Sequence, residues 1–179
     1  PKSSRRQRQM CIRDRAMYLA KQKGKNCFHL FDIESEDAIK TRHEVIKSIG
    51  NALKNDEFEL YYQPKVNMRT GAIVGVEALI RWEHPIRGLL SPAEFLPFIE
   101  NHPLSIDVGE WVIEESLRQH YQWKQLGIDI KISVNISALQ IQQRNFPVRL
   151  EHLLSKVPET PSTAIQLEVL ETSKLSNLS

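Results

Sequence analysis

Two β-rich runs, FELYYQPKV and AIVGVEALI, are separated by only the turn-forming stretch NMRTG. A connection that short cannot hold a crossover, so the two runs must pair as an antiparallel hairpin. The rhythm then changes. SPAEFLPFIE starts a helix, with Ser91 as N-cap, Pro92 at the first helical position and Glu94 closing a capping box. A longer helix is predicted from Asp107 to Leu126, with Val108, Val112, Ile113, Leu117 and Tyr121 near one face and Gly127 just past its end. IDIKISVNIS reads as a third strand, Phe146 to Lys156 as a short helix, and Ala164 to Glu171 as a fourth strand after the loop PETPS. Helices alternating with single strands imply βαβ units, and so an α/β fold with a parallel sheet or barrel rather than a sandwich. A closed eight-stranded barrel needs about 250 residues. The 179 residues here are therefore expected to form the first half of a (β/α)8 TIM-type barrel, opened by an antiparallel hairpin.

Alternate side chains of a strand face opposite ways, which sorts the polar residues. In the second run Val76, Ala78 and Ile80 share an apolar face, leaving Glu77, Leu79 and Arg81 on the other. In the third, Ile130, Ile132, Val134 and Ile136 point toward helices, and Lys131, Ser133, Asn135 and Ser137 point inward. In the fourth, Ile165, Leu167 and Val169 alternate with Gln166 and Glu168. Each strand thus ends with one ligand-type residue opposite its aliphatic face: Glu77, Asn135 and Glu168. In a barrel such ends converge where barrel enzymes place their sites. Single polar residues commonly fill barrel layers or pair with Lys and Arg, but agreement among three strand ends points to a site. Two carboxylates and an amide oxygen are hard donors suited to Mg2+ or Mn2+ and poorly suited to zinc. With Arg81 close by, they suggest metal-assisted phosphate chemistry.

Composition narrows the alternatives. The net charge of +2 comes from the first fifteen residues, which hold six Lys and Arg against one Asp, so the remainder is slightly acidic. A basic stripe interleaved with aromatics is missing, and DNA or RNA binding is rejected. Cys11 and Cys27 lack metal-ligand spacing and read as free thiols. No run reaches the roughly eighteen apolar residues of a membrane span, and no signal peptide is recognisable. The chain reads as cytoplasmic, with an upstream sensor or membrane anchor compatible with it. Trp82, Trp111 and Trp123 read as packing residues, Gly71 as a turn residue, and the histidines as surface or loop residues. Residues 33–42 are polar and acidic, as expected of a linker, and an apolar helical face runs from His43 to Asn55. Residues 1–13 lack periodicity and read as a non-native or disordered tail.

Two resemblances add to this. DRAMYLAKQKGKN followed by CFHLFD, within residues 14–32, resembles the last helix and strand of a GGDEF diguanylate cyclase domain, without that domain's catalytic motif. YYQPKV, then GVEALIRWEHP, SVNIS and LEVLET resemble in order the hallmark segments of the EAL phosphodiesterase family, over residues 43–179. This second resemblance implies a barrel enzyme using Mg2+ or Mn2+ to hydrolyse cyclic di-GMP to linear pGpG. It implies that Glu77 is the catalytic signature glutamate and a metal ligand, with Asn135 and Glu168 as further metal ligands. Gln63, Leu79 and Arg81 then contact substrate, Arg81 at phosphate, and Glu171 steadies a loop beside the site. Leu170 departs from the family's usual threonine, which bears on that loop. The family's paired-aspartate motif falls on a later strand, so the resemblance implies that the fragment is inactive alone, within an intact homodimeric parent. The alternative is a catalytically inactive domain that binds cyclic di-GMP as a sensor.

Overall fold

The computed structural model describes residues 33–169. The tail, the GGDEF-like segment, Leu170 and Glu171 lie outside the described residues. The chain divides into two compact units, Pro1–His43 and Glu44–Ser179, and helix α1 (Ile33–Lys54) runs through the division. In the first unit the described residues are the opening of this helix. The stretch read as a linker is therefore helical, and α1 begins ten residues before the predicted His43. Its Glu, Ala, Ile and Lys content favours helix.

The second unit is built on a mixed sheet. Strand β1 (Phe58–Val66) pairs antiparallel with β2 (Ile73–His84) as the hairpin requires, with Gly71 at φ 71° in the turn. Strand β2 runs four residues beyond the predicted end. Its continuation turns through Gly88, also at φ 71°, and pairs with the short β3 (Gly88–Leu90). Helices α2 (Pro92–Ile99) and α3 (Leu104–Gln125) follow, then β4 (Ile132–Ile136), α4 (Ala138–Ile141), α5 (Phe146–Ser155), a 3-10 turn (Ser162–Ala164) and β5 (Ile165–Val169). The sheet order is β1-β2-β4-β5, and β4 is parallel to both its neighbours. Parallel pairing after long helical crossovers is the expected βαβ arrangement. Closure into a barrel is not seen among the described residues.

One further predicted boundary shifts, at the end of β4. Ser137 belongs to no strand: it caps α4, its side chain accepting from the Gln140 N–H. The predicted capping box of α2 is formed, with the Glu94 carboxylate accepting from Ser91 N–H at 2.9 Å and Ser91 Oγ at 3.0 Å.

The core lies on the aliphatic side of the sheet. Val76, Ala78, Ile80, Ile132, Val134 and Ile136 are buried there against Ile49 and Ala52 of α1 and Ile113 and Leu117 of α3. At one end Phe58, Trp82 and Phe95 form an aromatic cluster with ring centroids 5.6–5.9 Å apart, and Trp82 Nε1 donates to Glu57 Oε2 at 3.0 Å. At the other, Tyr62 meets Trp123 edge-on at 4.8 Å. All three tryptophans are packing residues. Gly75 lets β2 approach β4 closely, since a Cβ there would lie 3.1 Å from the Lys131 carbonyl oxygen. His120 corrects the expectation for the histidines: it is buried on α3, with Nε2 3.3 Å from Asp129 Oδ1 just past the helix.

Candidate functional site

Burying Val76, Ala78, Ile80 and Trp82 of β2 and Ile132, Val134 and Ile136 of β4 leaves Glu77, Leu79, Arg81, Ser133 and Asn135 on the opposite face. Register then aligns them: Gln63 pairs with Glu77, Glu77 with Ser133, and Asn135 with Glu168. Side chains complete the arrangement. Asn135 Nδ2 donates to Glu77 Oε1 at 2.8 Å, so the signature glutamate and the amide predicted beside it are in direct contact. Because Asn135 spends its amide nitrogen on Glu77, its Oδ1 remains as the acceptor for a cation.

Two residues that the sequence reading missed complete this face. Lys65 Nζ donates to Ser133 Oγ at 2.7 Å and to Glu168 Oε1. Strands β1 and β5 are separated by β2 and β4, so a lysine of β1 reaches β5 only if the sheet curls with its polar face concave. This is the curvature of a barrel wall. Lys65 and the Ser133 hydroxyl, in that order, hold the Glu168 carboxyl below the usual carboxylate range. The second residue is Tyr61: the Arg81 guanidinium lies 5.2 Å from its ring centroid, while Arg81 Nη1 donates to the Ile80 carbonyl at 3.0 Å. Alternation along β1 places Tyr61, Gln63 and Lys65 on one face, the signal by which both were legible.

Leu79 faces the same side and joins Asn135 in lining a largely apolar cleft of about 470 Å3. The cleft runs beneath α2, where Ala78, Ile80 and Ile136 of the aliphatic face meet Pro92, Leu96 and Val108. The buried Ser105 Oγ, at its α3 wall, has no hydrogen-bond partner among the described residues.

The donor set suits a hard divalent cation. Glu77, Asn135 and Glu168 offer oxygens, and the ammonium on Glu168 shows that a positive charge is accommodated at this position. The set is two carboxylates and an amide, and among the described residues no cluster of three or more His, Cys, Asp or Glu occurs. Any remaining coordination positions fall to water, substrate or residues outside the described range. Glu171 also lies outside that range. No helix among the described residues is long and apolar enough to cross a membrane.

The chain is similar to known proteins in sequence and in fold. The EAL domain family model matches residues 46–179. The bifunctional diguanylate cyclase/cyclic di-GMP phosphodiesterase MucR of Pseudomonas aeruginosa is 37% identical over 163 residues, 90% of this chain and 24% of that protein. The cyclic di-GMP phosphodiesterase PdeR of Escherichia coli is 33% identical over 164 residues, 92% of this chain and 24% of that protein. The chain thus spans about a quarter of the length of these relatives. Among solved structures, the PaMucR phosphodiesterase in complex with c-di-GMP superposes with a TM-score of 0.68 at 36% identity, covering 75% of this chain and 54% of that one. The cGMP-bound EAL enzyme Bd1971 gives 0.66 at 33%, covering 76% and 39%. With the EAL domain model matching residues 46–179 and relatives 37% and 33% identical over at least 90% of the chain, this chain belongs to the EAL domain family.

Proposed function

We propose that this chain supplies one flank of the active site of a cyclic di-GMP phosphodiesterase, which hydrolyses one phosphodiester bond to give linear pGpG. The contact between Glu77, inside β2, and Asn135, near the end of β4, on a concave polar face is the observation that carries the reading. In this reading Glu77, Asn135 and Glu168 hold Mg2+ or Mn2+, and a bound ion of this kind supplies charge to polarise a phosphoryl oxygen and acidify a water. The residues of the chain do the positioning. Asn135 orients Glu77, Arg81 grips a non-bridging phosphate oxygen, and Gln63 borders the same row opposite Glu77. Leu79 presents the apolar cleft, whose volume suits a planar base. Glu171 is assigned the support of a loop beside the site, on resemblance alone.

With two carboxylates and an amide, the 179-residue chain is proposed to be inactive by itself. The test is to compare it with an EAL domain in which the same residues are joined to later strands bearing the family's paired-aspartate motif. The completed domain should release pGpG with Mg2+ or Mn2+, and the chain alone should not. A completed domain that binds cyclic di-GMP tightly yet cleaves nothing with either metal overturns the enzyme reading in favour of a sensor.

A further inference from the structure

We propose that Lys65 is an internal placeholder for the divalent cation: its ammonium sits on a ligand oxygen of Glu168 and is displaced when metal binds. The inference rests on Glu168 being a metal ligand, as proposed above.

The geometry supports displacement rather than permanent support. Lys65 reaches across the concave face from β1 to Ser133 on β4 and Glu168 on β5, so its ammonium holds one of the carboxylate oxygens that a cation would use. Arg81, the other positive group identified on this face, is committed to the Tyr61 ring and the Ile80 carbonyl and does not serve Glu168. A metal ion and an ammonium on one carboxylate repel each other. The Lys65 and Glu168 side chains are 35% and 33% exposed, so the long lysine stem has water into which to withdraw.

Magnitude decides the sign. A unit charge about 5 Å from a divalent ion at an effective dielectric near 20 weakens its binding by well over a hundredfold on the Coulomb interaction alone. Loss of a group that merely orients a ligand weakens metal binding by about 10–100-fold. Partial solvent screening and withdrawal of the lysine reduce the first effect, yet repulsion remains the larger. Removing the charge should therefore tighten metal binding, whereas loss of a supporting strut would weaken it.

The experiment titrates the full 179-residue chain with Mn2+ by electron paramagnetic resonance and with Mg2+ by calorimetry. Lys65→Met keeps the apolar stem and should bind either ion about tenfold more tightly than the parent chain, while Lys65→Arg should stay near the parent value. Mg2+ added to the unsubstituted chain should also shift the Lys65 side-chain ammonium and ε-methylene NMR signals, a readout independent of any variant. Unchanged or weaker binding by Lys65→Met, with the parent chain still binding metal, overturns the placeholder and leaves the metal site standing. Unperturbed Lys65 signals on metal saturation overturn it equally. Absence of metal binding by every protein, including a completed domain, overturns the metal reading itself and the placeholder with it.

Discussion

At the scale of single residues, two contacts order the polar face, Glu77 with Asn135 and Tyr61 with Arg81. Glu77 accepts from Asn135 without lying in the aliphatic core. Glu77→Gln keeps an acceptor for that bond but removes the charge. In a completed domain it should lower turnover by at least about a hundredfold through lost metal affinity, with thermal unfolding little changed. Parallel loss of activity and melting temperature would make Glu77 a structural residue instead. Tyr61 is 46% exposed, so its value to the fold is small and its contact with Arg81 stands out. An exposed cation–π contact is worth about 0.5–1 kcal/mol. Tyr61→Ala should therefore weaken cyclic di-GMP binding by roughly two- to fivefold by loosening Arg81, and Tyr61→Phe should restore it, as measured by calorimetry with a completed domain. Equal weakening by Ala and Phe would assign the effect to the hydroxyl.

The alternation rule explains both what was legible and what was not. Applied to β2, β4 and β5 it picked out Glu77, Asn135 and Glu168, and the structure places them on one face. On β1 the same period sets Tyr61 and Lys65 beside Gln63. Their partners, Arg81 and Glu168, depend on register and sheet curvature, which one strand's sequence does not contain. His120 was misread for a similar reason: its neighbour Asp129 comes from the chain beyond the helix, and that contact is tertiary.

At the scale of elements, ionic contacts tie α3 to α5. Lys156 Nζ donates to Glu114 Oε2 at 2.6 Å, Arg149 pairs with Glu110, and Arg118 approaches Glu114 at 2.5 Å within α3. Lys156 first, then Arg118, holds the Glu114 carboxyl below its ordinary range. A carboxyl with a depressed folded value stabilises the protein above its unfolded value and loses that contribution as pH falls through the folded one. Lys156→Met should thus cost up to about 1 kcal/mol at neutral pH and nothing once the carboxyl is protonated in both proteins. Chemical denaturation from pH 7 down to pH 2 checks this; a cost that persists at the acid end would point to lost packing by the lysine stem. Element boundaries were harder to read than element types. The three residues of β3 are too few to show a period, and the polar start of α1 has helix-forming residues without an apolar stripe.

At the scale of the whole molecule, the second unit presents a sheet whose outer path strands are β1 and β5. Among the described residues β5 pairs only with β4, and Val169 on it is 43% exposed. A strand edge with an apolar side chain templates association. Light scattering of the 179-residue chain should show mass growing with concentration, and Val169→Lys should reduce that growth severalfold. Association unaffected by the lysine would locate the contact elsewhere.

The reach of Lys65 also bears on how the molecule assembles in time. Its contact with Glu168 joins positions 103 residues apart, whereas the β1–β2 hairpin closes through the short connection of residues 67–72. Distant pairings carry the loop-closure cost that slows folding, and contacts made after the rate-limiting barrier govern how fast the native state is left. In stopped-flow chevron measurements, Lys65→Met should leave the refolding limb unmoved and raise the unfolding limb. A slowed refolding limb would mean that the curl bringing the first strand over the last is already present at the barrier.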